Sequence, residues 1–350
     1  MKTTGKTKTY RRAGDIRVGV IGYGGAFNMG RNHLLEMQSA GMTPTAVCEI
    51  DPDRLKVATT DFPGIETYSD VGTLLKKSAV DLVVIITPHN SHAALSIQCL
   101  KAGRHVVCEK PLAITTAEVD AMIRAAQSSG AMLSAYHNRH WDGWILQAVE
   151  LIRKKRVIGD VVRISCRMGG YSRPGDWWRS SRSISGGILY DWGVHLLEYS
   201  LQLVDSPILE VSGFVHEGFW APKTKWKEDT NEDDGFVVVR FGNGELLTLS
   251  ISHLESNQKS GWVEVTGTKG SLVFGGQPTT LHEFRNGNEH LTRFSNRQSE
   301  CHRYYENIAA HLTSKAPLVI TAEWARRPIH ILDLAAQSAR KGSALRAKYH

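Results

Sequence analysis

Along the first part of the chain, short runs of valine, isoleucine and leucine alternate with longer stretches of helical spacing. Residues 15–22 (DIRVGVIG), 45–49, 81–87 (DLVVIIT), 105–109 and 132–135 are apolar with little polar alternation. Strands of that kind are buried on both faces, which is the pattern of a parallel sheet. Between them, residues 91–102 read as a helix stopped by Gly103. Thr115 and Glu118 form a capping-box signature that opens a second helix, ending near Gly130. The β-α-β rhythm predicts an N-terminal doubly wound α/β domain on a parallel sheet.

After Tyr136 the rhythm changes. Residues 143–156 and 188–203 read as helices, and 160–168 as a strand. Strand-like runs then follow one another at 208–216, 235–241, 245–252, 261–267 and 271–274. Gly242-Asn243-Gly244 and Thr268-Lys269-Gly270 supply turns between them. Consecutive strands joined by short turns predict an antiparallel or mixed sheet in a second α/β domain, with helices near 299–313 and 322–340. The expected organisation is a basic leader (1–14), a first domain (15–137) and a second domain (138–350).

Composition narrows the class. With 350 residues, 41% hydrophobic and 22% charged, the chain is large enough for two globular domains. No apolar run reaches the length needed to span a bilayer, and the polar leader does not read as a secretory signal. A cytoplasmic location is the expectation. The net charge is +7, but Lys2, Lys6, Lys8, Arg11 and Arg12 lie in the leader and Arg340, Lys341, Arg346 and Lys348 in the tail. Those positives exceed the whole excess, so the body is slightly negative. Solvated basic ends are expected rather than a nucleic-acid or membrane footprint. The cysteines (Cys48, Cys99, Cys108, Cys166 and Cys301) are odd in number and widely spaced, which fits buried free thiols better than disulfides or a zinc site.

The candidate chemistry begins at Gly22-Tyr23-Gly24-Gly25-Ala26, directly after the first strand. Dinucleotide binding needs glycines there for a tight turn, for backbone approach to a pyrophosphate, and for close helix–sheet packing. A strict G-x-G-x-x-G would put glycine at position 27, where Phe27 stands. Gly30 takes the third role if Phe27-Asn28-Met29 is an insertion. Glu49, at the end of the next strand, suits the two hydroxyls of an adenosine ribose and would repel a 2′-phosphate. NAD is therefore favoured over NADP; Asp51 competes with Glu49 for this role.

Lys110 follows a strand of the same sheet, where ligands of doubly wound sheets bind and a cation can stabilise a developing alkoxide. On spacing alone it reads equally as a surface lysine. Asp191 and His195, four apart in a helical segment, share one face. The histidine could serve as a general acid or base, and the pair also fits an ordinary helix surface. No H-E-x-x-H element occurs, so no metal is expected.

Taken together the motifs resemble the Gfo/Idh/MocA family (glucose-fructose oxidoreductase and inositol dehydrogenase) over nearly the whole chain. The markers are the glycine loop with Gly30-x-x-His33, Thr87-Pro88-x-x-x-His92, and Ala102-Gly103-x-His105-Val106-x-x-Glu109-Lys110-Pro111-Leu112. Gly159-Asp160, the segment from Gly186 to His195, and Gly267-Thr268-x-Gly270 complete them. The resemblance implies an N-terminal Rossmann domain and a C-terminal substrate-binding and oligomerisation α/β domain with an open, largely antiparallel sheet. It implies a catalytic group of Lys110, Asp191 and His195, a cis Lys110-Pro111 peptide, and a homodimer or homotetramer paired through the open sheet. It implies cofactor contacts at Gly22, Gly24, Gly25, Ala26, Phe27, Asn28 and Glu49, and at Thr87, Pro88, His89, His92, Glu109 and Lys110.

On the substrate side, Trp177 and Arg179 lie in an aromatic and charged segment suited to a polyhydroxylated ring, and Arg139 lies just past the domain boundary. The tryptophans could equally fill space in the fold. The expected function is an NAD-dependent oxidoreductase acting on a hydroxyl or ketone of a sugar, cyclitol or sugar derivative. Two alternatives stand beside it. One is a glycosidase with catalytic NAD, working through transient sugar oxidation and elimination. The other is a non-enzymatic NAD-binding regulator.

Overall fold

The structure, a computed structural model, describes residues 8–349. Lys2 and Lys6 of the expected leader lie outside the described residues. The chain divides into two compact units, one of Met1–His137 with His302–Arg326, the other of Asn138–Cys301 with Arg327–His350.

The first unit holds β1 (Arg17–Ile21), β2 (Thr43–Cys48), β3 (Glu66–Tyr68), β4 (Leu82–Ile85), β5 (His105–Cys108) and β6 (Leu133–Ala135). They form one sheet in the order β3-β2-β1-β4-β5-β6, and all pairings are parallel. Val83, Val84, Val106 and Val107 are fully buried, as a sheet covered on both faces requires. The helices between the strands are α1 (Met29–Ser39), α2 (Pro52–Asp61), α3 (Val71–Lys77), α4 (His89–Lys101) and α5 (Thr116–Ser129). The Thr115–Glu118 capping box is formed, and Gly130 closes α5 in the left-handed region at φ 68°. The segment expected to belong wholly to the second domain returns here: helix Arg303–Ser314 buries Tyr304, Tyr305, Ile308 and Leu312.

The second unit is built on a nine-stranded mixed sheet ordered β14-β13-β12-β11-β7-β10-β9-β8-β15. Its strands are β7 (Val161–Gly169), β8 (Ile208–His216), β9 (Asp234–Phe241), β10 (Leu246–Ser252), β11 (Val263–Gly267), β12 (Ser271–Phe274), β13 (Thr279–Arg285), β14 (Asn288–Phe294) and β15 (Leu345–Arg346). Only β7 and β10 run parallel; the other pairings are antiparallel. The inner face carries Ile164, Val237, Val239, Leu247, Leu249, Val263 and Val265, all fully buried. Helices α6 (Gly143–Val149), α7 (Arg182–Ser185) and α8 (Leu189–Leu201) belong to this unit, as does the helix Ala322–Lys341 from Arg327 onward. α8 lies on the inner face. A β-carbon on its Gly193 would stand 3.1 Å from the Leu249 side chain, so glycine permits that approach. The outward face exposes Phe214, Phe236, Leu246, Phe284 and Leu291.

The basic side chains at both ends are exposed where they are described, yet the chain that carries them is held to the fold. Lys8 pairs with the buried Asp81 at 2.5 Å, Tyr10 is buried, and Leu345–Arg346 pairs with β8. Strands β13 and β14 were not anticipated, because β14 is exposed along nearly its whole length and has no apolar alternation to read. All five thiols are free, and four of them are buried. Among the described residues no helix is long and apolar enough to cross a membrane.

Replacing Leu249 by alanine removes the layer on which α8 rests. The expected loss is about 2–5 kcal/mol of unfolding free energy, read from urea denaturation of the full chain. An unchanged transition would show that α8 does not depend on this layer.

Candidate active site

In the first unit, β1 runs into Gly22, whose φ of 104° suits glycine and whose missing β-carbon would lie 2.5 Å from the Ile86 carbonyl oxygen. Gly24, Gly25, Ala26, Phe27 and Asn28 are all exposed. Asn28 adopts the left-handed region at φ 50° and α1 begins at Met29, with no side-chain cap on its first turn. Gly30 is where the helix meets the strand end: a β-carbon there would stand 2.6 Å from the Tyr23 ring and 2.8 Å from the Gly22 carbonyl oxygen. The close-packing role of a third glycine thus falls on Gly30, and Phe27-Asn28-Met29 lengthens the loop before it.

Glu49 is committed to this loop. One carboxylate oxygen accepts the Tyr23 N–H at 2.6 Å; the other accepts those of Ile50 at 2.7 Å and Asp51 at 3.1 Å. Asp51 instead caps α2, accepting from the Asp53 N–H. Arg54, which the sequence set five residues past Glu49, is returned by the first turn of α2 to the glycine loop. Its Nε donates to the Tyr23 carbonyl at 2.9 Å, another guanidinium nitrogen to Asn28 Oδ1 at 3.4 Å, and its head lies 3.2 Å from where a Gly25 β-carbon would be. Charge at this place was not legible in the sequence, because helical curvature brings it there.

The ends of β4 and β5 carry the remaining candidates of this unit. Thr87 and Ser91 share a hydroxyl hydrogen bond of 2.6 Å, and Pro88 precedes α4, whose first residue His89 is buried. His92 is fully buried between the carbonyls of Thr87, at 2.7 Å from Nε2, and Pro111, at 2.8 Å from Nδ1. Burial pushes its pKa down, although both carbonyl contacts favour the protonated ring. It ties the β4 turn to the strap Glu109-Lys110-Pro111-Leu112, in which Lys110-Pro111 is cis.

In the second unit, Asp191 and His195 stand one turn apart on α8. His195 is 5% exposed; its ring stacks on Tyr199 at 6.1 Å between centroids, with Trp192 tilted against it at 5.5 Å. Arg179 reaches Asp191 at 3.7 Å while lying over the rings of Trp177 and Trp178 at 4.8 and 4.3 Å. Arg139 lies over Trp192 at 5.2 Å and pairs with Asp142 at 3.1 Å. Burial raises the Asp142 pKa against the pull of Arg139. These five predicted residues therefore share one region of the second unit, whereas Lys110 belongs to the first.

The loop that holds Arg179 is braced by a segment the sequence did not single out. Asn231 donates to the Arg179 carbonyl at 2.7 Å, Trp226 to the Trp177 carbonyl at 2.9 Å, and Ser183 hydrogen-bonds Asp229. Glu232 accepts the Ile188 N–H at 2.9 Å, immediately before α8. Such polar residues between two strands read as an ordinary loop, and only the long-range hydrogen bonds reveal their task.

Fold and site together define an oxidoreductase of the Rossmann class. The sequence profile of the Gfo/Idh/MocA oxidoreductase family matches residues 16–137 as its NAD-binding Rossmann fold and residues 150–347 as its C-terminal α/β domain, and the chain belongs to that family. It is 25% identical to scyllo-inositol 2-dehydrogenase (NADP(+)) IolW of Bacillus subtilis, over 95% of this chain and 96% of that one. It is 28% identical to myo-inositol 2-dehydrogenase of Thermotoga maritima, over 73% of this chain and 74% of that one. Among solved structures, an NAD-binding protein from Listeria innocua shares the fold with a TM-score of 0.81 at 24% identity, covering 95% of this chain and 97% of that one.

Proposed function

We propose that this oxidoreductase is an NAD-dependent dehydrogenase that interconverts a secondary hydroxyl and a ketone on a sugar, cyclitol or sugar derivative. The observation that carries the reading is the Asp191–His195 pair on α8, set in a ring of Trp192, Arg179 and Trp177. Aromatic faces suit the C–H side of a polyol ring, and the charged groups suit its hydroxyls. The named activities of the inositol dehydrogenases above support the same substrate class.

The first unit fits a dinucleotide. The glycine loop is exposed, Gly30 allows α1 to start against the strand end, and the first turn of α1 has no side-chain cap in the way of a phosphate. Gly22, Gly24, Gly25, Ala26, Phe27 and Asn28 would hold the pyrophosphate side, Glu49 the adenosine ribose, and the Thr87–His92 turn with Glu109 and Lys110 the nicotinamide side. When bound, the nicotinamide accepts or returns the hydride. His195 takes the proton from the substrate hydroxyl at its ring nitrogen. Lys110 presents its ammonium to the oxygen on which negative charge develops. Asp191 accepts a substrate hydroxyl and fixes the ring's orientation, with Arg179 holding the carboxylate in place.

One observation favours a second cofactor. Arg54 lies against the glycine loop, where a guanidinium could meet a 2′-phosphate, and one inositol dehydrogenase relative is named for NADP. We assign NAD because the Glu49 carboxylate occupies the end of β2 and repels that phosphate. Glu49→Ser is expected to narrow the preference for NAD over NADP by at least about tenfold, measured as the ratio of dissociation constants. An unchanged ratio would remove Glu49 from the role.

Lys110→Ala is expected to lower turnover by at least about 100-fold while changing NAD affinity by no more than about threefold. The assay is cofactor reduction across a panel of cyclitols, aldoses and glycosides. Undiminished turnover would defeat the assignment. The exposed Phe214, Phe236, Leu246, Phe284 and Leu291 on the outward sheet face support self-association through it. Sedimentation velocity should then give a dimer or tetramer whose mass falls in Phe236→Asp; a wild-type monomer would refute the pairing.

A further inference from the structure

Behind the glycine loop runs a buried polar chain of which the roles above use only Glu109. His33, on α1, is fully buried. Its Nδ1 lies 2.6 Å from the Tyr305 hydroxyl and its Nε2 3.1 Å from Glu109 Oε1. The other oxygen of Glu109 accepts the Lys110 N–H at 3.0 Å. Tyr136 packs edge-on against the His33 ring at 4.2 Å and donates its own hydroxyl to Glu36 at 2.6 Å.

The direction of these hydrogen bonds follows from what each group can give. A carboxylate only accepts, so Nε2 is the donor toward Glu109. On a neutral ring Nδ1 then accepts, and the Tyr305 hydroxyl donates to it. Tyr305 keeps its proton, because burial drives its pKa far above the ordinary phenol range. Burial would by itself raise Glu109 as well. The hydrogen bonds from His33 and from the Lys110 N–H oppose that effect and stabilise the ionised carboxyl. Both oxygens of Glu109 are thereby fixed, and the group is a charge that neither moves nor neutralises readily.

Topology says which part of a dinucleotide this charge addresses. The sheet order reverses between β1 and β4, and the two halves of the cofactor lie on either side of such a switch point. Glu49 ends β2 on the adenosine side; Glu109 follows β5 on the nicotinamide side. The nicotinamide ring is cationic when oxidised and neutral when reduced, and no other part of the cofactor changes charge.

We propose that Tyr305, His33 and Glu109 form a relay that fixes one negative charge on the nicotinamide side, so that the protein binds NAD+ in preference to NADH more strongly than the fold alone would. The inference rests on the reading that this unit binds NAD. Lys110 carries the opposite charge, but on a flexible four-carbon stem whose assigned partner is the substrate oxygen. Glu109 is the anchored member of the two. His33 and Tyr305 are positioning residues that act through it.

The test is equilibrium binding to the full chain, with NADH followed by its own fluorescence and NAD+ by calorimetry. Glu109→Gln keeps the size of the side chain and removes its charge. The ratio Kd(NAD+)/Kd(NADH) is expected to rise about three- to tenfold. Tyr305→Phe, which removes only the terminal donor, should move the ratio the same way by a smaller factor, and it decides the matter if Glu109→Gln does not fold. A ratio unchanged in the folded variants, with both constants moved together, overturns the relay and leaves a structural prop. A wild-type chain that binds neither dinucleotide overturns the relay too, but through failure of the NAD reading on which it rests.

Discussion

Parallel pairing puts every carboxyl end of a sheet at one edge, and the candidate chemistry of the first unit depends on that constraint. Strands β1, β2, β4 and β5 all point the same way, so the glycine loop, Glu49, the Thr87 turn and the Glu109-Lys110 strap emerge along a single line. No local preference of those loops is needed to gather them. The requirement is met by the crossover helices, which cover both faces and let the strands be uniformly apolar. The same apolar runs that specify burial therefore also specify where polar residues can first appear, which is at the strand ends.

Polar residues at such an edge lie close to the core and must be satisfied there. Glu49 is met by three backbone N–H groups, and Glu109 by an imidazole and a backbone N–H. A buried charge without such partners would cost several kcal/mol. In the second unit the same need is met differently. Asp191 has Arg179, whose guanidinium lies over two indoles, and the loop that carries Arg179 hangs from Asn231 and Trp226. Glu49, Glu109, Asp191 and Arg179 are thus oriented by contacts made before any ligand arrives, which is the condition for a precise site.

Much of this was legible in the amino-acid order, for definite reasons. The strands β1, β4 and β5 announce themselves as runs of Val and Ile, and α5 by its capping box, because the signals are local. Gly30 could be identified as the packing glycine only by supposing an insertion at Phe27-Asn28-Met29; the close approach to Tyr23 and Gly22 supports that reading. What could not be read depends on distance along the chain. Tyr305 meets His33 across 272 positions, and Asn231 meets Arg179 across 52. Nothing in the local composition of either segment marks it. The return of His302–Arg326 to the first unit was hidden likewise, since an amphipathic helix does not say against which sheet it packs.

Arg54 and Glu49 carry this argument furthest, because they place opposite charges at one loop. Each is committed to the backbone of the same residue: Glu49 accepts the Tyr23 N–H, and Arg54 donates to the Tyr23 carbonyl. The peptide units around Tyr23 are therefore held from both sides, and neither charge can leave without loosening the turn that brings β1 to the glycines. On the cofactor assignment proposed above, choice of cofactor and rigidity of the loop are in that way coupled. A substitution that changes one of the charges to admit a 2′-phosphate also removes a support of the phosphate loop itself, so affinity for either dinucleotide should fall even as the preference between them changes. That coupling explains why an acid at the end of β2 cannot be read as a ribose contact alone.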